Sequence, residues 1–280
     1  MRIQTAIEDG ERILKKNNIK TFRIDAEILM STSIKKDRKY IFLNLNNKLC
    51  EESIKIFKKN IQKRSTGKPI AYIVGEKDFW KYSFKVREGV LIPRPDTELL
   101  IEEVLKLTKN KSNLNLLEIG IGSGCVLLSI LKEKKNFYGT GVDLSKKCVE
   151  LSKINAFNLG LRNRVKIFES DIDNFNHGKY DLIISNPPYI NKIKLKYLEK
   201  DVKNFEPILA LNGGLDGMSV IRKVINKSSE LIKKNGILVL EIAFNQKNKV
   251  VKLLEQKGFY INKVLKDLAN NDRCIICTKR

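Results

Sequence analysis

Ser185-Asn186-Pro187-Pro188-Tyr189 closes an apolar run, KYDLIIS, and gathers hydrogen-bond acceptors in a stiff frame. Two consecutive prolines fix φ and remove two backbone donors, so the chain leaves its strand rigid and presents carbonyl oxygens that no helix claims. Asn186 adds a side-chain carbonyl oxygen. A planar NH2 group has two hydrogens, and the segment offers two acceptors for them, the Asn186 side chain and the Pro187 backbone carbonyl, with Tyr189 available to pack on the flat face. Holding both hydrogens aims the nitrogen at an electrophile and raises its electron density, the arrangement that methyl transfer to an amide or exocyclic amine requires. A methyl sulfonium is already an activated electrophile with a neutral leaving group, so no general base is needed to begin. Alignment alone is worth on the order of 7–11 kcal/mol in favourable cases.

A second constellation, Glu118-Ile119-Gly120-Ile121-Gly122-Ser123-Gly124, lies between an apolar strand and an apolar-faced helix. Glycines there let the backbone turn sharply and approach a bound molecule. The spacing is G-x-G-x-G where a dinucleotide fingerprint wants G-x-G-x-x-G, so a pyrophosphate on the helix N-terminus is disfavoured. The acid before the first glycine points to a ligand with a positive centre or an amino group near the turn. Asp143 ends the next strand, 23 residues after Gly120, where a carboxylate can accept both ribose hydroxyls. Asp171 ends the third, in FESD, and could accept from the amino group of adenine. Each aspartate on its own could simply cap the helix that follows it. Acids and glycines at the ends of three successive strands outline a nucleoside pocket without a phosphate cradle, and the ligand this suggests is S-adenosylmethionine.

Strand ends must hold these residues. From residue 114 the chain alternates: LNLLEIG, FYGTGVD, RVKIFESD and KYDLIISNPPYI have the texture of strands, and SGCVLLSILKEKK and LSKKCVELSKINAFNLG carry helical spacing. SVIRKVINKSSELIKKNG predicts a helix, GILVLEIAF a strand, KNKVVKLLEQKG a helix and YINKVLKDLANNDRCIICTK a terminal hairpin. Such alternation requires a doubly wound, mostly parallel α/β sheet with helices on both faces, whose ligands bind beyond the carboxyl ends of the strands. Residues 1–75 show helical stripes only, at Ile3, Ile7, Ile13 and Leu14, at Phe22, Ala26, Leu29 and Met30, and at Ile54, Phe57 and Ile61. The expected division is a small helical domain over 1–75, a linking β-hairpin over 76–94 and the sheet domain over 95–280, which opens on the helical pattern DTELLIEEVLKLTKN.

Composition narrows the function classes. A chain of 280 residues with 42% hydrophobic content can bury enough surface to offset its entropy. No apolar run approaches the roughly 20 residues of a membrane span, and MRIQTAIEDGERILKK lacks the pattern of a secretory signal, which argues for the cytosol. Five scattered cysteines suit a reducing compartment. Cys274-x-x-Cys277 has no second pair beside it and the chain has one histidine, His177, so no metal site is expected and RCIICT reads as a buried strand. A single histidine also leaves little room for Ser-His-Asp or Cys-His hydrolysis. The net charge of +22 invites a nucleic-acid reading. Against it, 42 Lys, 34 Ile and 26 Asn stand beside only 12 Arg, and the charge is spread along the whole chain, which fits drift toward A/T-rich codons better than a polyanion surface.

With these residues in place, the chain resembles the class I S-adenosylmethionine-dependent methyltransferases over 95–280. Over essentially its whole length it is similar to the release factor glutamine N5-methyltransferases. The resemblance is carried by DAEILM at 25–30, GKPIAYIVGEKDF at 67–79, LIPRPDTELL at 91–100, NPPY at 186–189, FEPILALNGGLDGM at 205–218 and EIAFNQ at 241–246. LIPRPDTE separates this family from the ribosomal-protein glutamine methyltransferases and the adenine-N6 DNA methyltransferases. The resemblance implies a seven-stranded Rossmann-like sheet. It implies S-adenosylmethionine held by Glu118, Ile119, Gly120, Ile121, Gly122, Asp143 and Asn186, with Asp171 or Ile172 near the adenine. It implies a substrate glutamine bound by Asn186, Pro187, Pro188 and Tyr189, with Asn186, Pro187 and Tyr189 carrying the catalysis. That glutamine belongs to the Gly-Gly-Gln loop of class I peptide chain release factors, whose body the helical domain would dock, with Arg94 where the loop enters; its methylation would modulate translation termination.

Two departures stand out. The family often has Asp-Leu-Gly-Thr-Gly where this chain has Glu118 to Gly122, which loses a hydroxyl, and Ile172 stands where some members carry an aromatic residue. A nucleic-acid amine methyltransferase is the competing reading, since adenine N6 is also a planar NH2, but residues 1–75 show neither zinc spacing nor aromatic-basic interleaving. A non-enzymatic nucleoside-binding protein is opposed by the intact NPPY.

Overall fold

Apolar residues recurring at three- and four-residue steps make the first part of the chain helical. The computed structural model describes residues 1–280 and divides into two units, Met1–Glu76 with Glu199–Phe205, and Lys77–Leu198 with Glu206–Arg280. In the first unit, α1 (Ile3–Lys16), α2 (Phe22–Ile34), α3 (Arg38–Leu43), α4 (Glu51–Ser65) and α5 (Ile70–Val74) enclose one cluster that includes Ile7, Leu14, Leu29, Met30, Phe57 and Ile61. Ile13 does not belong to it. It lies about 100° of helix rotation from Leu14 and is 45% exposed, a correction to the stripe expected of α1. Gly10 lets α1 approach α4, because a Cβ there would sit 2.9 Å from both Phe57 Cζ and Ile61 Cδ1. A buried ion pair, Arg64 Nε to Asp25 Oδ2 at 2.7 Å, ties α4 to α2.

In the second unit, β1 (Glu76–Phe79), which starts on the last residue of the first unit's opening stretch, and β2 (Tyr82–Lys85) form a hairpin, and a 3-10 turn at Pro95–Thr97 leads into α6 (Glu98–Leu107). β3 (Asn115–Ile119), α7 (Cys125–Glu133), β4 (Tyr138–Asp143), α8 (Lys146–Asn158), β5 (Val165–Glu169) and β6 (Tyr180–Ser185) then alternate. The chain returns to the first unit as α9 (Lys200–Phe205). It finishes with α10 (Ser219–Leu231), β7 (Ile232–Glu241), α11 (Lys247–Gln256), β8 (Phe259–Lys266) and β9 (Asp272–Lys279). The seven strands are ordered β5-β4-β3-β6-β7-β9-β8, parallel except for β9.

Neighbouring residues on each strand enter opposite layers. Leu116, Leu182, Val239 and Ile276 join Leu100, Ile101 and Leu127 of α6 and α7 on one face. Leu117, Ile183, Leu238 and Ile275 join Ile221, Val224 and Val250 of α10 and α11 on the other. Because both faces are covered, the inner strands β3, β6, β7 and β9 carry continuous buried runs and do not alternate. Cys274 and Cys277 lie buried inside β9, opposite Glu241 and Leu238. No helix is long and apolar enough to cross a membrane.

The helix expected to continue through KKNG instead stops at Leu231, and Lys233 to Gly236 belong to β7. Asn235 takes φ +62°, and the pairing of β6 with β7 shifts register between Tyr180 and Leu182. Ile232, directly after Leu231, already has extended backbone (φ −78°, ψ 142°) and ends the helix, and the left-handed Asn235 further on accompanies the bulge in the strand that has begun.

From β3 the chain steps outward to β4 and β5, then β6 opens the opposite side of β3. The carboxyl ends of β3 and β6 therefore flank the point where strand order reverses, the usual ligand crevice of such sheets. Its floor is close-packed: a Cβ on Gly141 of β4 would lie 2.1 Å from Ile121 Cδ1. Gly141→Ala should cost about 1–3 kcal/mol of stability, read as a lower urea midpoint at unchanged slope. Adding Ile121→Val, which removes the clashing methyl, should recover part of that loss.

Candidate active site

The β3 strand runs into the turn Gly120 to Gly124. Gly120 and Gly122 take φ +78° and +55°, and a Cβ on either would meet nothing within 4 Å, so glycine here keeps open space over the turn. Gly120 N and Ile121 N donate to the Val142 carbonyl at 2.8 and 3.1 Å, which stitches the turn to β4. The Ile121 side chain is turned into the core over Gly141, so a ligand at the turn meets its backbone. Ile119 is buried too, and its carbonyl accepts from Ser185 Oγ at 2.8 Å.

Glu118 is buried, and its Oε2 accepts from Leu127 N, in the first turn of α7, at 3.0 Å. Burial pushes its pKa up to about 8 and the Asp143 charge adds to the rise, while the Leu127 N–H works against it. One oxygen of this carboxylate thus anchors a helix. Asp143 brackets the glycine turn: Oδ2 accepts from Gly122 N and Oδ1 from Ser145 N, both at 2.9 Å. Burial raises its pKa and those two N–H groups lower it. Each oxygen keeps a further lone pair for a hydroxyl. Asp171 follows the edge strand β5; its Oδ1 accepts from Asp173 N at 2.9 Å and lies 3.9 Å from Lys223 Nζ, so it caps the short turn after it. Ile172 packs against the layer that contains α10 and α11.

Ser185 pairs with Ile119 on one side and Leu240 on the other, which sets Asn186 beside the glycine turn and beside Glu241. Asn186 Nδ2 donates to Thr97 Oγ1 at 3.1 Å. No donor of the chain occupies Asn186 Oδ1 or the Pro187 carbonyl. Tyr189 Oη donates to Glu241 Oε1 at 3.2 Å, and burial pushes its phenol well above the usual range. Burial raises the Glu241 acid to about 7, against the hydrogen bond from Thr97, the Arg273 charge and the Tyr189 hydroxyl. Gln246 Nε2 joins the Tyr189 and Gly217 carbonyls, at 3.2 and 2.9 Å. A Cβ on Gly217 would come within 2.5 Å of the Tyr189 oxygen, so the LNGGLDGM segment closes on the NPPY corner only through glycine. Arg94 pairs with buried Glu206, which also accepts from Ile92 N at 3.3 Å.

The turn, Asp143 and Asn186 to Tyr189 thus meet at one end of the sheet, with Asp171 one strand further out. Thr97, Glu241, Gln246 and Glu206 escaped residue-level reasoning and stood only as letters within longer segments. For Glu241 a signal existed: like Glu118 and Asp143, it is an acid at the end of an apolar strand.

Residues 5–75 match the family described as PrmC N-terminal domain and residues 95–267 the methyltransferase small domain. The release factor glutamine methyltransferase of Clostridium acetobutylicum is 36% identical over 100% of this chain and 99% of its own. That of Clostridium botulinum is 35% identical over 100% of both chains. The chain belongs to the release factor glutamine methyltransferase family. Among solved structures, a methyltransferase from Pyrococcus furiosus shares the fold with a TM-score of 0.52 at 16% identity, over 70% of this chain and 88% of that one.

The methyltransferase takes its methyl group from S-adenosylmethionine. The open backbone of the glycine turn and the remaining lone pairs of Asp143 fit that molecule. Without cofactor, the raised pKa of Glu118 has a consequence for stability. The unfolded carboxyl ionises near its ordinary value of about 4.3, whereas the folded one holds its proton to about 8. Stability present at pH 4 is therefore lost as pH rises toward 8, at up to about 1.4 kcal/mol per pH unit. Glu118→Gln should flatten the fall in Tm between pH 5 and 8 in calorimetry, leaving the part due to Glu241.

Proposed function

We propose that the methyltransferase transfers the methyl group of S-adenosylmethionine to the side-chain amide nitrogen, N5, of the glutamine in the Gly-Gly-Gln loop of class I peptide chain release factors. The reading is carried by the acceptor pair at the end of β6: Asn186 Oδ1, left over once Nδ2 is engaged by Thr97, and the Pro187 carbonyl. Both hydrogens of a primary amide are held by that pair, which turns the nitrogen lone pair toward the glycine turn. When bound there, S-adenosylmethionine supplies an electrophilic methyl carbon on a positively charged sulfur. Tyr189, tethered through Oη to Glu241, offers its ring to the amide plane. The excess proton leaves to water after transfer.

A primary amide on a flexible loop can enter such a corner directly, whereas a duplex base must first leave its stack. The sheet domain over 95–280 does the chemistry, the hairpin region over 76–94 links, and the helical domain over 1–75 docks the body of the release factor. Arg94, its side chain 40% exposed and its guanidinium held by Glu206, meets the incoming loop.

Incubation with labelled cofactor, offering separately a release factor, the same factor with its loop glutamine replaced, and total nucleic acid, tests the reading. Label should enter only the unaltered factor; label on nucleic acid and none on the factor would reject it. Asn186→Ala should lower kcat at least about a hundredfold at unchanged Tm. Asp143→Ala should chiefly raise the cofactor Kd, by roughly ten- to a hundredfold in titration calorimetry.

A further inference from the structure

We infer that Gln246 is a positioning residue for the methyl transfer: its side-chain NH2 clamps the backbone carbonyl of Tyr189 while Glu241 holds the phenol of the same residue, so that the ring is fixed at both ends in the plane that covers the substrate amide. The inference rests on the glutamine reading of the site. Tyr189 needs such fixing because little else supplies it. β6 ends at Ser185, and Pro187 and Pro188 bring no N–H of their own. A tyrosine side chain turns about two bonds, so a tether at Oη alone leaves the ring free to swing with its backbone.

Both tethers come from one short segment, Glu241 to Gln246, where the chain leaves β7 for α11. Tyr189 Oη donates to Glu241 Oε1 at 3.2 Å, and the Tyr189 carbonyl accepts from Gln246 Nε2 at 3.2 Å. The same NH2 also donates to the Gly217 carbonyl at 2.9 Å, so both of its hydrogens are engaged. Gln246 Oε1 accepts from Ala243 N at 2.9 Å, and Gln246 N donates to the Ala243 carbonyl at 3.0 Å. The carboxamide is therefore locked in one orientation, with its oxygen toward its own turn and its nitrogen toward the NPPY corner.

Local structure asks for something different at this position. Gln246 occupies the N-cap place of α11, yet its side chain makes no cap hydrogen bond. Ser, Thr, Asp or Asn there would hold the first free N–H groups of the helix. Glutamine is longer, and this one reaches past the helix to the corner and is buried. A departure from local preference at a buried side chain is what a functional constraint leaves behind. The joint is also close-packed: a Cβ on Gly217 would stand 2.5 Å from the Tyr189 oxygen and 2.9 Å from Gln246 Nε2. The hydrogen bonds of the Gln246 side chain go to Ala243, Tyr189 and Gly217, so the clamp acts on the amide side of the site and leaves the glycine turn and Asp143 to the cofactor.

Four variants of the full chain test the clamp, with a release factor as substrate. Gln246→Glu keeps the shape and the bond from Ala243 N but loses both donors; Gln246→Leu loses them without adding charge. Each should lower kcat about ten- to a hundredfold with the cofactor Kd in titration calorimetry unchanged. Gly217→Ala displaces the Tyr189 carbonyl from the other side and should lower kcat alike, so the test stands even where a Gln246 variant fails to fold. Tyr189→Phe frees the far end of the ring and should also slow the enzyme. In that background Gln246→Glu should cost less than about threefold more, because a ring released at one end has little alignment left to lose. With fluorotyrosine in place of tyrosine, the Tyr189 fluorine signal, assigned by its loss in Tyr189→Phe, should move in Gln246→Leu toward the position of the free amino acid. Full kcat in the folded Gln246 variants or in Gly217→Ala, effects of Gln246→Glu and Tyr189→Phe that simply multiply, or a cofactor Kd that rises in step with the falling kcat would overturn the inference. If the unaltered protein puts no methyl on the factor, the glutamine reading fails instead, and the Tyr189 signal alone decides whether Gln246 holds the ring.

Discussion

The carboxyl ends of β3, β4 and β6 are level because parallel pairing sets them so: Ile119 lies beside Val142 on one side and beside Ser185 on the other. Hydrogen bonds from Ser185 Oγ to the Ile119 carbonyl, and from Gly120 and Ile121 to the Val142 carbonyl, continue that pairing past the last strand residue. A slip of one residue would send Leu116 and Leu117 to the wrong layers, and both layers are apolar and filled. The core thus enforces the register, and the register delivers the glycine turn, Asp143 and Asn186 to the same end of the sheet.

Three acids, Glu118 and Glu241 buried and Asp143 half-buried, then convert that alignment into a shaped site. Glu118 anchors α7 through Leu127 N, Asp143 clasps the glycine turn through Gly122 N, and Glu241 holds Tyr189. In each case burial disfavours the charge and nearby donors restore part of it. Such carboxylates are costly to isolate and therefore keep their donors close, which makes them exacting rulers of local geometry. The chemistry asked of the site needs alignment more than acid or base strength, so groups that orient are the ones this fold has placed there.

Long family segments acquire physical meaning from the same geometry. LIPRPDTE contributes Arg94 and Thr97, FEPILALNGGLDGM contributes Glu206 and the glycine that meets the Tyr189 carbonyl, and EIAFNQ contributes Glu241 and Gln246. Distant in sequence, all three segments meet at the NPPY corner, Thr97 at Asn186 and Gly217, Glu241 and Gln246 at Tyr189, while Glu206 holds Arg94. Ile121 packs over Gly141 in the core, so its side chain is taken up by the interior and not by the ligand side of the turn.

Much of this was legible in the amino-acid order. Strand and helix alternation follows from local apolar periodicity, the acceptor-rich corner from two adjacent prolines, and the turn from alternating glycines, because each is a property of a few neighbouring residues. Ile13 was misplaced because a stripe read by spacing tolerates an error of one position, and the end of α10 was missed because the change of Ile232 to extended backbone carries no periodic signal. What only the tertiary structure decided are partnerships across the chain: Thr97 with Asn186, Glu241 with Tyr189, Glu206 with Arg94. A sequence by itself determines which side chains can donate or accept; which proton faces which lone pair depends on strands and turns brought together by burial, and that pairing exists only once the core has closed.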